Sequence, residues 1–350
     1  MFYIATYDDI GSRIYVMPSI FLENWSSRNM KKESNLETTQ LRYAGVATLL
    51  RRPLVNDPSG VDIALIGVPY DGATENRPGQ RHGPREIRNM SSFTRSIHHV
   101  THVNPYELCH VADLGDVNFL NPFDLQQCFT DITDFYRKIC TAGAVPLSVG
   151  GDHSISLPIL RAVAAERPVG MVHLDAHTDT SDHEFGHKFT HGTPFRRAME
   201  EGLLDPKRTI QIGIRGAQNS EESWHGSEDA GIRVMYMEEF TNLGIEATLD
   251  EVRGVVGNGP TYVSFDIDCL DPAFAPGTGT PEIGGLTPIQ AQALIRGLAG
   301  LKLIGGDVVE VSPPFDPTGN TALVGATMLY EIVCVLSDAV AKEKNSKKNA

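Results

Sequence analysis

Val169-Gly-Met-Val-His-Leu174 runs directly into Asp175-Ala-His177-Thr-Asp179, so a mostly apolar hexad is followed by acidic and imidazole side chains at every second position. A period of two points alternate side chains to one side of an extended chain. The pattern recurs where Pro260-Thr-Tyr-Val-Ser-Phe265 feeds Asp266-Ile-Asp268, and Ala144-Val-Pro-Leu-Ser-Val149 leads to Gly150-Gly-Asp152-His153. All three read as buried strands that deliver polar side chains from their C-terminal ends. Working outward, further apolar runs lie at Ile63–Val68, Thr209–Ile214 and Leu303–Val309. Helical patterns alternate with them at Asp124–Thr141, Leu157–Glu166, Ile245–Val256, Pro288–Ala299 and Leu323–Ala341. Strand followed by helix, repeated, predicts an α/β fold: a three-layer α/β/α sandwich with a mostly parallel sheet. A chain of 350 residues can bury one large core, and no internal repeat divides it.

The side chains gathered at the strand ends are carboxylates and imidazoles, with no cysteine among them. Hard carboxylates with borderline imidazoles suit Mn2+, and also Ni2+, Co2+ or Zn2+. So many donors exceed the needs of one tetrahedral ion, which favours a pair of metals. Two cations make water acidic enough to act as a nucleophile near neutral pH. Aspartates packed together without a cation would repel one another, which argues against a purely structural role. For any single residue the ordinary alternative remains, since an Asp at a strand end often caps the next helix.

These residues, with His191-Gly-Thr-Pro-Phe195, Ser264-Phe-Asp-Ile-Asp268 and Glu310-Val-Ser-Pro313, closely resemble the ureohydrolases, the family of arginase and agmatinase. The likeness runs from about Tyr43 to Leu336 and is strongest to guanidinopropionase- and guanidinobutyrase-type enzymes. It implies a dinuclear-metal hydrolase that cleaves a carbon–nitrogen bond of a guanidino compound to give urea, or a substituted urea, and an amine. By that resemblance His153, Asp175, His177, Asp179, Asp266 and Asp268 hold two divalent ions, Mn2+ in the first place and Ni2+ in the second. His191 shuttles protons and Glu310 holds the guanidinium. The chemistry agrees: a resonance-stabilised cation needs a strong nucleophile, an anionic clamp and an acid for the departing amine. Two other readings are a supporting subunit in a mixed oligomer with a catalytic homologue and a single-zinc deacetylase on a related fold. A complete donor set argues against both.

Within Ser181-Asp-His-Glu184-Phe-Gly-His187-Lys188, Glu184 stands where the resembling enzymes carry Tyr or Met. If it faces the pocket, it opposes a carboxylate tail and favours a cationic or neutral one, such as that of agmatine or a biguanide. His187 or Lys188 could instead hold an acid tail. The glycine-rich Ala275-Pro-Gly-Thr-Gly-Thr-Pro281 lacks a P-loop lysine and reads as a rigid loop at the pocket mouth. Arg77-Pro-Gly-Gln-Arg-His-Gly-Pro-Arg85 reads as a turn-rich loop at the ligand-binding edge.

A formal charge of −14 argues against a nucleic-acid partner and suits a small cationic substrate. The five cysteines are scattered without disulfide or metal spacing, which fits a reducing, cytoplasmic setting. Cys269, beside Asp268, reads as a small buried side chain. No apolar stretch of membrane-spanning length is expected, and no signal peptide. Residues 1–42 read as an extension of unassigned role, 43–341 as the catalytic domain and 342–350 as a polar, fraying tail. A homo-oligomer, trimer or hexamer, is implied by the resemblance alone.

Overall fold

The computed structural model describes Thr6–Tyr7, Arg13–Ile14, residues 41–217 and residues 221–349. Its contacts divide the chain between Val46 and Ala47. In the first unit, β1 (Thr6–Tyr7) pairs antiparallel with β2 (Arg13–Ile14). Most of the extension expected over residues 1–42 lies outside the described residues.

The second unit is built on an eight-stranded sheet of β3 (Ile63–Val68), β4 (Val111–Asp116), β5 (Val145–Gly150), β6 (Val169–Leu174), β7 (Leu204–Ile214), β8 (Arg233–Tyr236), β9 (Thr261–Asp266) and β10 (Leu303–Val309). Its order is β4-β3-β5-β10-β9-β6-β7-β8, and every pairing is parallel. Parallel strands are covered on both faces, which is why β3, β6 and β9 are buried along their whole length. Alternation divides each strand between two cores. On β3, Ile63 and Leu65 join one apolar cluster with Val263, Phe265 and the helices Pro288–Gly297 and Asn320–Asn349. Ala64, Ile66 and Val68 join the other, with Phe129, Ile132, Leu157 and Leu160 of the helices Leu125–Thr141 and Ser156–Val163. These are the three layers expected.

The helices take local signals from the sequence. Asp124 caps Leu125–Thr141 by accepting from the backbone N–H of Gln126 and Gln127, and Thr287 with Gln290 forms a capping box on Pro288–Gly297. Gly244, at φ +75, breaks the helix Met237–Val256, so the periodicity beginning at Ile245 recovers only its second part. Three expectations need correction. The turn-rich loop assigned to 77–85 ends early, because a helix begins at Gly83 with Pro84 in its first turn, where a missing N–H costs nothing. The last helix, expected to end at Ala341, continues to Asn349. That helix also contains a window long and apolar enough to cross a membrane, contrary to expectation. Most of the window is buried against the sheet and neighbouring helices, as in an ordinary core helix.

Candidate active site

The order of the sheet makes the site. The chain leaves β5 and resumes in β6, with β10 and β9 between them, so the C-terminal ends of four adjacent strands meet where the connections diverge. The register then aligns the chemistry. Leu174 pairs with Phe265, so Asp175 and Asp266 come next, side by side. Val309 pairs with Asp266, so Glu310 follows one residue further on. His153 enters from the turn after β5, where Gly151 lets the chain pass the backbone of Tyr70 and Gly150 packs against Ile155 and Val309. A side chain at Gly151 would overlap the Tyr70 carbonyl oxygen, so this approach admits only glycine.

The structure brings together His153, Asp175, His177, Asp179, Asp266 and Asp268. His153 Nδ1 lies 2.8 Å from Asp179, 3.1 Å from Asp266 and 3.2 Å from Asp175. His177 Nδ1 lies 3.2 Å from Asp268 and 3.5 Å from Asp175. All are buried except His177, which is partly open to the cavity. Asp179 and Glu310 sit at φ +52 and +64, a conformation that non-glycine residues rarely hold and that clusters at functional sites.

The donor set fits a cation. Asp307 accepts hydrogen bonds from Ser264, Tyr262 and Ser156, so the single Ser264 proton is committed to it at 2.7 Å. Ser264 Oγ must then accept from His153 Nε2, 2.8 Å away, so that the neutral ring, the form a cation binds, carries its lone pair on Nδ1. That nitrogen is buried and has no aligned hydrogen-bond partner, although three carboxylates surround it. His173 is fixed the other way. Gln211 Nε2 donates to its Nδ1 at 3.0 Å, so His173 Nε2–H donates to Asp175 at 2.7 Å and orients that carboxylate rather than offering a lone pair.

Charge in the cluster points the same way. Burial, and after it the repulsion of neighbouring aspartates, raises the pKa of Asp179, Asp266 and Asp268 above the ordinary carboxylate range. Burial acts against Asp175 too, but His173, His153 and His177 together pull it well below that range. Burial lowers His153, and the carboxylates around it more than reverse this, raising it well above an ordinary imidazole. The carboxylates cannot all be ionised without positive charge between them.

Beside the cluster, Glu310 Oε1 accepts from the His153 backbone N–H at 2.7 Å, and Oε2 accepts from Gln80 Nε2 at 2.9 Å. His191 has Nδ1 3.4 Å from Glu310 Oε1 and Nε2 2.7 Å from Glu75 Oε2. Burial opposes charge on His191, but Glu310 and Glu75 outweigh it and raise its pKa well above the usual value. A cavity of about 140 Å³ opens over the cluster, lined by residues that include Glu75, Asp179, Glu184, His191, Asp266 and Thr280. Glu184 faces it, taking a hydrogen bond from Thr190 at 2.5 Å and packing on Gly192, where a Cβ would collide with it. His187 pairs with Glu184 through the backbone, but it is exposed and is not among the described residues lining the cavity. Cys269 is fully buried, and burial raises its thiol pKa well above normal, which makes it a poor nucleophile.

A model of the arginase family matches residues 61–335. The chain belongs to the arginase family. Relatives include a guanidinopropionase of Pseudomonas aeruginosa, 61% identical over 86% of this chain and 95% of that protein. A mitochondrial agmatinase of Gallus gallus is 51% identical over 84% of this chain and 87% of its own length. Among solved structures, proclavaminate amidino hydrolase from Streptomyces clavuligerus superposes with a TM-score of 0.82 at 41% identity, covering 86% of this chain and all of that one. Family and donor set together make the cluster of this arginase-family chain a site for divalent metal ions.

The sequence assigns no role to several residues of this arginase-family site. Glu75, Gln80, Asp152, Gln211, Ser264, Thr280 and Asp307 act through other groups and follow no ligand spacing. Asp152 holds the turn before His153 by accepting from Ser154 and the Ala73 N–H, and burial, with Glu310, pushes its pKa up to about 7. Thr280 Oγ1 donates to Asp268 at 3.1 Å, from the glycine-rich loop expected at the mouth. Asp152 lies in a motif the sequence singles out, and Gln80 and Thr280 in loops it places at the pocket edge, but Ser264 alone shares the period-two spacing of Asp266 and Asp268. Ser264→Ala frees the His153 ring to change tautomer, so metal affinity is expected to fall about 10- to 100-fold. Competition against a chromophoric chelator measures it, and an unchanged affinity contradicts the tautomer lock.

Proposed function

We propose that the chain is a metal-dependent amidinohydrolase that adds water across a carbon–nitrogen bond of a guanidino compound, giving urea or a substituted urea and an amine. The observation that carries this is the convergence of His153, Asp175, His177, Asp179, Asp266 and Asp268 around a buried, unpartnered imidazole nitrogen, next to a buried glutamate. On this reading those side chains hold two divalent ions. The carboxylate-rich donors favour Mn2+, with Ni2+ as the second candidate. When bound, such ions lower the pKa of water towards neutrality and so supply a nucleophile at physiological pH.

The chain's own residues do the rest. Glu310, already oriented by the His153 N–H and Gln80, presents its remaining lone pairs to the substrate guanidinium and fixes the central carbon. His191, held in its charged form, gives the Nδ1 proton to the departing amine nitrogen, because Glu75 engages its other nitrogen. The mouth sets the tail. Besides Glu75, which is engaged by His191, the described lining residues include Glu184 and no lysine or arginine. A carboxylate a few ångströms from Glu184 would be disfavoured by roughly 1–4 kcal/mol relative to no charge, and a cation favoured. A cationic or neutral tail is therefore preferred, whereas the name of the Pseudomonas relative points to an acid tail.

Urea release from agmatine, guanidinopropionate, guanidinobutyrate and a biguanide, after loading with Mn2+ and separately with Ni2+, tests both levels. Turnover of any of them supports the reaction class. Fastest turnover of agmatine or the biguanide supports the Glu184 argument, and fastest turnover of a guanidino acid removes it.

A further inference from the structure

Loop histidines are usually free to swing, yet His191 is fixed at three points. Its backbone N–H donates to the Ala73 carbonyl at 3.2 Å, and its ring lies between Glu75 at 2.7 Å and Glu310 at 3.4 Å. Ala73 and Glu75 belong to one short segment, Asp71-Gly-Ala-Thr-Glu75. That segment is itself fastened to the metal-side turn, because the Ala73 N–H donates to Asp152 at 2.9 Å, and Asp152 also takes the Ser154 N–H at 3.0 Å. The segment thus ties His191 to the turn that carries His153.

The two carboxylates facing the ring are not equivalent. Glu310 is almost completely buried and already accepts from the His153 N–H and from Gln80. It is also the group to which a substrate cation must come. A guanidinium seated there competes with His191 for the same oxygens. Glu75 has no such second duty: its side chain is 42% exposed at the cavity edge, and its hydrogen-bonded partner is His191 Nε2. The other acidic groups acting on the ring are Asp179 and Asp152, neither of them hydrogen-bonded to it.

We infer that Glu75 is a positioning residue: it holds His191 through Nε2–H so that Nδ1 stays aimed at the departing amine after substrate has engaged Glu310. This rests on the amidinohydrolase reading. Nothing in the position of Glu75 requires contact with the guanidinium, so its loss should act on turnover rather than on binding.

The test uses the full-length, metal-loaded chain with the best substrate of the panel. Glu75→Ala is expected to lower kcat by at least about tenfold, a fraction of what a general acid contributes. KM should stay within about twofold, with metal content unchanged. Glu75→Gln, which keeps an acceptor for Nε2–H but no charge, should lower kcat less than Glu75→Ala. An independent signature comes from 15N-histidine NMR of chain loaded with diamagnetic Zn2+, since Mn2+ and Ni2+ would broaden resonances beside the site. The His191 Nε2–H resonance, assigned by its absence in His191→Asn, should persist in wild type and Glu75→Gln and be lost to exchange in Glu75→Ala. A raised KM with unchanged kcat would overturn the inference by making Glu75 a substrate-binding group. Equal kcat in wild type and Glu75→Ala would also overturn it, as would survival of the resonance in Glu75→Ala. A wild-type chain inert towards every guanidino compound would instead overturn the reaction class, so the two failures are distinguishable.

Discussion

Asp266→Asn is expected to reduce urea release by about a thousandfold or more, equivalent to some 4 kcal/mol of transition-state stabilisation. Asp266 stands where the β9 register meets Asp175, and its carboxylate is 3.1 Å from His153 Nδ1, so the charge removed lies at the centre of the donor set. An amide keeps the shape and supplies a weaker, neutral donor. The effect on the metal-free fold should have the opposite sign. Burial first, then Asp268 and Asp175, raises the Asp266 pKa in the folded chain. A raised carboxylate pKa means that stability is lost as pH rises through it, and asparagine has no proton to lose. Metal-stripped Asp266→Asn should therefore unfold at the same temperature as stripped wild type or a higher one near neutral pH, while gaining less on adding metal. Lower activity with a lower metal-free Tm would indicate misfolding instead. Activity within tenfold of wild type would remove Asp266 from the donor set.

Glu310→Gln tests the other half of the site and should leave metal content intact. Removing one partner of a buried charge pair costs about 2–5 kcal/mol, so kcat/KM should fall roughly 30- to 4,000-fold. The side chain points inward because its backbone holds a left-handed conformation after β10, and its two oxygens are aligned by the His153 N–H and Gln80. The amide keeps one oxygen for the His153 N–H but loses the charge that a guanidinium requires. The variant should bind metal as wild type does and fold normally. If kcat/KM falls less than about threefold, the substrate cation is held elsewhere, and Glu75 and Glu184 are the next groups to examine.

The central strands were legible because they are buried on both faces and so read as mostly apolar runs, several of them ending in ligand-type residues. Ile63–Val68 and Leu303–Val309 match the observed strands to the residue. The two edge strands were not legible. Val111–Asp116 places an acid at its third position, and Asp113 is tolerated in the interior because Arg88 makes two hydrogen bonds to it, at 3.0 and 3.1 Å, and the N–H groups of Leu49 and Gly115 donate to it as well. Arg233–Tyr236 is too short to show a period. The same division holds at the site. Residues at strand ends show their spacing in the sequence, and the structure gathers them. Glu75, Gln80 and Asp307 reach it from separate segments, through contacts that only the folded chain creates. His187, two residues from Phe185 at φ +49, turns outward with the tight Glu184–His187 pairing, a reversal that no spacing of residues encodes.

The claim beneath all of this is that the acid and imidazole cluster binds divalent cations as the working part of the enzyme. Metal analysis of wild-type chain after dialysis with Mn2+, paired with urea release before and after chelation, tests it most directly. About two ions per chain are expected, as a paired-metal hydrolase needs, with activity lost on chelation and restored on reloading. Urea release that survives complete removal of metal, or a chain that retains no divalent ion, would contradict it.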